Sequence, residues 1–274
     1  MSNPEQPRAT QKAQGLADLL YRKWQPIKAL SIFLRMFYRE KDEEKRSSIL
    51  NRLCDYFQIR KQLPLHYEIA KILEEQAQHY SSYDYGKGYL YQSFPPAHLR
   101  GLRNTETRIA EMQLRSYVSG KMVFDIGTNT GFLACSLAPI CSSITGFDIN
   151  PYCIQIGNAV AKYFGYTNVR LFTGRFEEVQ EKATYEVILS FANHSTYDHN
   201  TQHTLEEYFQ KCAAYCADHG LLLFESHFPG YESEDQLEKV FQILQTYFQV
   251  TKRFRLQSKT SGDRGRTFAV CTKK

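Results

Sequence analysis

No apolar run in this chain approaches the 18 or so residues that a membrane-spanning helix needs, so the sequence predicts no helical span. No C-x-x-C pair occurs, and the seven cysteines, at positions 54, 135, 141, 153, 212, 216 and 271, are odd in number and scattered. Most lie inside apolar patterns and read as reduced core residues of a cytoplasmic protein, not as a disulfide framework. Cys212 and Cys216 stand at helical spacing, but no histidine cluster accompanies them, and no metal site is expected there. The opening MSNPEQPRATQKAQG is polar, without the apolar segment of a secretory signal. No internal repeat is visible, and no recognised RNA-binding signature occurs.

Also missing is a strong charge of either sign on most of the chain. The net charge of +5 is carried by the first 61 residues, which hold 13 Lys/Arg against 7 Asp/Glu. The remaining 213 hold 21 against 22. At 274 residues the chain is long enough to bury a sizeable core, and one large domain with an extension is expected over two equal halves.

What is present centres on residues 121–150, KMVFDIGTNTGFLACSLAPICSSITGFDIN. Met122 to Ile126 read as a buried strand, Gly127 to Gly131 as a turn, and Phe132 to Ala138 as a helix that ends near Pro139. A second apolar run, Ile144 to Phe147, ends on Asp148. Strand, glycine turn, helix, strand and acid form half of a dinucleotide-type α/β fold, with its site at the carboxyl ends of the strands. A nicotinamide fingerprint, G-x-G-x-x-G, needs its middle glycine so that the backbone can approach a pyrophosphate. Asn129 occupies that position, which favours a ligand without phosphates. Asp148 follows Asp125 by 23 residues, near the ~20-residue spacing that puts a carboxylate under ribose hydroxyls.

These residues resemble the first motif and second-strand acid of the class I S-adenosylmethionine-dependent methyltransferases. The resemblance runs from about Thr105 to the C-terminus. It implies a doubly wound, seven-stranded, mostly parallel sheet with a reversed C-terminal hairpin, and S-adenosyl-L-methionine as cofactor. It further implies a cofactor site built from Asp125, Gly127, Thr128, Asn129, Gly131, Asp148, Ile149 and Ser190. The lead-in helix, capped by Asn104 or Thr105, is similar to that of class I enzymes acting on transfer RNA: Thr105, Glu106 and Arg108 match a T-E-x-R pattern. By that likeness Arg103 or Arg108 would meet the carboxylate of the cofactor's methionine, for which a guanidinium offers a two-pronged fork. An exposed helix arginine is the plainer reading. The family's acid after the third strand is absent. Gly174-Arg175-Phe176 stand there, and the amide and ring of Phe176 are the candidates for adenine.

The rest of the chain is organised around this core. Residues 1–79 read as a helical cap, with apolar stripes at Ile27, Leu30, Phe33, Leu34 and Phe37, then Ile49, Leu50, Leu53, Cys54 and Phe57, then Leu65, Ile69, Ile72 and Leu73. A basic surface that guides an anionic acceptor is the sharper alternative for these helices. Residues 80–104 begin with the tyrosine-rich YSSYDYGKGYLYQSFPP and form a connecting loop or lid. Residues 105–274 form the catalytic domain. Asn150 and Pro151 open a helix that Gly165 stops. Val169–Phe172, Tyr185–Phe191 and Gly220–Phe224 read as strands three to five. A helix from Asp235 to Tyr247 precedes β-runs at Val250–Leu256 and Thr267–Cys271. ANHSTYDH follows the fourth strand and Glu225-Ser226-His227 the fifth. His194 and His227 are therefore the leading bases, with Glu225 orienting one of them, since imidazole suits proton transfer near neutral pH. His199, Tyr197 and Asp198 lie in the same loop. His and carboxylate groups also suit Zn or Fe, but no metal is expected. A small-molecule or glycan acceptor is favoured over RNA because the core is not basic. An RNA (tRNA-type) methyltransferase and a non-catalytic S-adenosylmethionine-binding module are the competing readings. A pure binder has no need of proton-transfer groups at that edge.

Overall fold

The computed structural model describes residues 60–79, 90–194, 202–226, 233–256 and 265–274. His227, the 195–201 loop with Tyr197, Asp198 and His199, and the first two apolar stripes of the N-terminal segment lie outside these residues. The chain divides into two units, Met1–Lys71 and Ile72–Lys274. Helix α1 (Leu63–His79) crosses that boundary. Its predicted stripe is visible in burial: Leu65 and Ile69 are buried, Ile72 and Leu73 half-buried.

Within the second unit, α2 (Thr105–Glu111) and α3 (Leu114–Val118) lead into β1 (Met122–Ile126). There follow α4 (Phe132–Leu137), β2 (Ser143–Asp148), α5 (Pro151–Phe164), β3 (Val169–Thr173), β4 (Tyr185–Phe191), α6 (Leu205–Tyr215), β5 (Cys216–Glu225), α7 (Glu234–Tyr247), β6 (Phe248–Leu256) and β7 (Arg266–Lys273). The seven strands order as β3-β2-β1-β4-β5-β7-β6. β1 pairs in parallel with β2 on one side and β4 on the other. β7 runs antiparallel between β5 and β6, so the reversed hairpin is present. The order turns back at β1 and β4, and a crevice at the carboxyl ends follows from that reversal.

β1 reads as a near-continuous apolar run because both sheet faces are covered. Val123 packs in a cluster with Ile109, Leu133, Ile144 and Ile154, placing α2, α4 and α5 on one face. Phe124, one residue on and therefore on the other face, packs with Tyr208, Phe209, Leu237 and Phe241 from α6 and α7. Its ring stacks on Tyr185 at 4.7 Å. The six described cysteines are buried. Burial pushes Cys135 and Cys271 up to about 12 and Cys141 and Cys216 to about 11, far from thiolate reactivity.

Several boundaries differ from the sequence expectation, each for a local reason. The lead-in helix is two helices, broken where Gln113 takes φ +54°. The fifth strand starts at Cys216, four residues early, so Cys212 and Cys216 lie on different elements. The helix α6 was not singled out from the sequence, although its capping box was legible. Thr204 accepts from the Glu207 amide while the Glu207 carboxylate accepts from the Thr204 amide, the T-x-x-E pattern.

The described part of the tyrosine-rich connection, residues 90–104, is docked on the sheet domain. Phe94 is fully buried against Phe132 and Phe164, with ring centroids 5.5 and 5.3 Å apart. Thr105 donates from Oγ1 to the Ser93 carbonyl at 2.6 Å, and its amide donates to Ser93 Oγ at 3.1 Å. Gly101 crosses so close to this segment that a Cβ would lie 2.2 Å from the Gln92 carbonyl.

Candidate functional site

The glycine turn after β1 is built by close approach as well as by backbone conformation. Gly127, Asn129 and Gly131 all have positive φ, at +68°, +56° and +67°. A Cβ on Gly127 would lie 2.8 Å from Asn193 Cβ, and one on Gly131 would lie 2.5 Å from Leu171 Cδ1. Both positions thus require glycine on two counts. Asparagine tolerates the left-handed region better than most residues, which explains how Asn129 fits between them.

The amides that open α4 are the groups that would hold a phosphate in a dinucleotide site. Here those of Phe132 and Leu133 donate to Gln92 Oε1 at 3.1 and 3.3 Å, while Gln92 Nε2 donates to the Thr128 carbonyl at 3.3 Å. A neutral side chain from the connecting segment thus closes the helix N-terminus. No local signal in the sequence marks Gln92, because its partners lie some 40 residues downstream.

Asp148, at the end of β2, accepts the Asn129 amide on Oδ2 at 2.8 Å and the Asn150 amide on Oδ1 at 2.9 Å. The first of these bonds ties the acid to the glycine turn; the second fixes its rotamer at the start of α5. Asp148 and Ile149 are half-buried, and Asn129 Oδ1 is buried with no hydrogen-bond partner among the described residues. Asp125 is buried and accepts from Thr128 Oγ1 at 2.6 Å. Burial raises its carboxyl to about 6, with the Asp148 charge adding to the rise and Thr128 and Arg108 opposing it.

At the end of β4, Asn193 spans to β1: its Nδ2 donates to the Ile126 carbonyl. Its Oδ1 accepts from Ser190 Oγ at 3.1 Å and Tyr208 Oη at 2.7 Å. Ser190 is thus buried in the frame of the site. His194 is buried edge-on to Tyr208, ring centroids 4.9 Å apart. Burial pushes its imidazole below the ordinary histidine range, with the His203 charge adding to this and a backbone hydrogen bond at His203 opposing it. Phe176 is only 2 % exposed, and its ring lies in the aromatic core 5.1 Å from Tyr208 and 5.9 Å from Phe147.

Glu225 stands apart from the role the sequence proposed for it. Its buried carboxylate pairs with Arg108 on α2 and with Arg266 on β7, the latter at 3.4 Å. The two guanidiniums hold its carboxyl below the ordinary range against the opposing effect of burial. Among the described residues, its side chain meets no histidine. Arg108 lies with its guanidinium 5.0 Å over the Phe191 ring. Arg266, Gln92 and Asn193 are the site-edge residues the sequence did not reveal.

A family model for a methyltransferase domain matches residues 123–220. No curated protein matches the chain. Among solved structures, the N-methyltransferase NodS from Bradyrhizobium japonicum WM9 is similar at 19 % identity, with 61 % of this chain and 93 % of that chain covered and a TM-score of 0.50. Its complex with S-adenosyl-L-homocysteine has 15 % identity, 75 % and 98 % coverage and a TM-score of 0.49. A TehB-like SAM-dependent methyltransferase from Corynebacterium glutamicum has 17 % identity, 66 % and 92 % coverage and a TM-score of 0.48.

The buried Asp125 carries a pH signature. Its folded pKa of about 6 stands above the ordinary 3.8, so the fold favours the protonated acid. That contribution is fully present below about pH 4 and is lost as pH rises through about 6. Asp125→Asn is neutral throughout. Its stability advantage over the wild type should therefore grow by about 2–3 kcal/mol between about pH 4 and pH 7. Urea unfolding of both proteins across that range checks it; parallel profiles would contradict the assignment.

Proposed function

We propose that this chain, whose residues 123–220 match a model for a methyltransferase domain, is a class I S-adenosylmethionine-dependent methyltransferase, and that its cofactor lies against the glycine turn with the ribose on Asp148. The observation that carries this is the placement of Asp148. It is half-buried at the carboxyl end of β2 and oriented by the Asn129 and Asn150 amides. The residues present fit the cofactor. The close-packed glycines leave a bare turn, Asn129 Oδ1 has no partner among the described residues, and Gln92 already closes the helix end that a phosphate would need.

S-adenosylmethionine, when bound, supplies a sulfonium methyl group that an acceptor displaces directly. The work of this chain is then alignment, exclusion of water and, where the acceptor needs it, removal of a proton. Gly127, Thr128, Asn129 and Gly131 shape the floor, with Asp125 holding Thr128. Ile149 lines the base end. Ser190 acts through Asn193 as a positioning residue. Phe176 supports the base end from the core, through its backbone and not through an exposed ring. Arg108 borders the methionine end, already committed to Glu225. His194 is the leading base: its lowered pKa keeps the imidazole neutral, and thus able to accept a proton, at neutral pH. The acceptor is a small molecule or glycan. Outside the first 61 residues, acidic and basic charges balance at 22 to 21, which provides no general field for RNA.

Two outcomes follow. Asp148→Ala loses charge-assisted bonds to ribose worth ~1.5–3 kcal/mol each. Calorimetry should show S-adenosylhomocysteine affinity reduced roughly 30-fold or more, as about 2 kcal/mol implies. Unchanged affinity in a folded variant would remove the ribose assignment. His194→Ala should lower turnover on the acceptor by about 10²–10⁴-fold with cofactor affinity preserved. The wild-type rate should rise with pH through a value below the ordinary ~6.5 of histidine and then level off. A variant with near-normal turnover, or one that keeps this rise, would exclude His194 as the base.

A further inference from the structure

Glu225 is engaged by more positive charge than it can neutralise. Arg108 and Arg266 both pair with it, and their side chains are only 19 % and 15 % exposed. The phenol of Tyr91 is hydrogen-bonded to Arg266 and to Arg103 and also feels the Arg108 charge. Arg103 itself is on the exposed rim. Three guanidiniums therefore surround one carboxylate and one phenol. Asp125 also feels the Arg108 charge, but it is held by Thr128 and is itself raised toward neutrality. Among the described residues, the two poorly exposed guanidiniums, Arg108 and Arg266, share the single carboxylate of Glu225, an excess of positive charge that an anion would relieve.

The donors are available for that. A guanidinium carries five N–H groups. Arg108 spends its hydrogen bonding on Glu225, and Arg266 divides its own between Glu225 and Tyr91. The Arg103 side chain is exposed, and those of Arg108 and Arg266 keep 19 % and 15 % of their surface open. The position is also informative. Glu225 pairs with Phe191 in the β4–β5 register, and Arg108 covers the Phe191 ring. Tyr91 immediately precedes Gln92, which caps the glycine turn. The cage thus sits on the carboxyl edge, one strand from the reversal point, where an acceptor must approach the methyl group.

We propose that Arg103, Arg266 and Tyr91, with Arg108 and Glu225 behind them, bind an anionic group of the acceptor, a carboxylate or a phosphate. This rests on the methyltransferase reading. It narrows the acceptor to an acidic small molecule or acidic glycan, which a balanced overall surface would not otherwise attract. Glu225 orients the two guanidiniums, and planar two-pronged bonding to an oxyanion provides the selectivity.

The test is calorimetric titration of inorganic sulfate and of acetate into protein saturated with S-adenosylhomocysteine. At least one anion should bind the loaded wild type. Its affinity should fall at least tenfold in Arg266→Met and in Arg103→Gln, while S-adenosylhomocysteine affinity stays unchanged in both. Arg103 is exposed, so its variant keeps the test decisive if Arg266→Met fails to fold. Preference for sulfate points to a phosphate-bearing acceptor, and preference for acetate to a carboxylate-bearing one. Anion binding that occurs only in the unloaded protein and competes with S-adenosylhomocysteine would assign the cage to the cofactor's own carboxylate and overturn the proposal. No anion binding to a loaded wild type would overturn it equally. A wild type that fails to take up S-adenosylhomocysteine would instead bring down the methyltransferase reading, and the proposal with it.

Discussion

The hydrogen bond from Asn193 to the Ile126 carbonyl joins the two strands at which the sheet order turns back. It sets how the site is built. Asn193 Cβ occupies the space that a side chain on Gly127 would need, so the turn can pass only as glycine. Tyr208 and Ser190 hold the other end of the amide, which links α6 to the tips of β1 and β4. With the turn fixed there, the Asn129 amide is directed at Asp148. One side-chain amide therefore couples the distance between strands to the geometry of the proposed ribose acceptor. Backbone groups buried at this point must be paired, and Asn193 pairs the last carbonyl of β1.

The second constraint is Gln92. A helix N-terminus with open amides attracts anions, and in this chain the two that matter donate to a neutral oxygen supplied from 40 residues upstream. The same contact anchors the connecting segment, whose Phe94 and Ser93 are fastened to Phe132 and Thr105. Cofactor chemistry and domain packing are thereby linked: the segment that brings Tyr91 to the edge is also the one that removes a phosphate site. The positive charge of the edge is concentrated instead at Arg103, Arg108 and Arg266, some distance along the sheet at the ends of β5 and β7.

Local pattern carried much of this into the sequence. β1, the glycine turn, Asp148 and the Asn150–Pro151 cap are contiguous signals, and each occupies the place its spacing implies. β4 matches to the residue, because a parallel central strand is a continuous apolar run bounded by breaks. The lead-in helix was read as one because its apolar residues keep period, yet Gln113 adopts a left-handed conformation that no local rule marks. Glu225 stands two residues before His227 in sequence, whereas its partners among the described residues come from α2 and β7, 117 and 41 residues away. Gln92 and Asn193 escaped for the same reason. Their roles depend on which backbone group the tertiary fold brings opposite them, and amide side chains carry no periodicity that would announce it. Phe176 follows β3 in sequence where an adenine contact is expected, but its ring packs in the core against Phe147 and Tyr208.

The account stands most directly on which nucleotide the wild-type protein binds. Calorimetry of the full chain with S-adenosylhomocysteine and, separately, with NADH measures this without knowledge of the acceptor. A bare turn, a neutral cap on α4 and an oriented Asp148 predict measurable, saturable S-adenosylhomocysteine binding and no detectable heat with NADH. Micromolar NADH affinity without S-adenosylhomocysteine binding would contradict it, because a pyrophosphate would then have displaced Gln92 from the helix end.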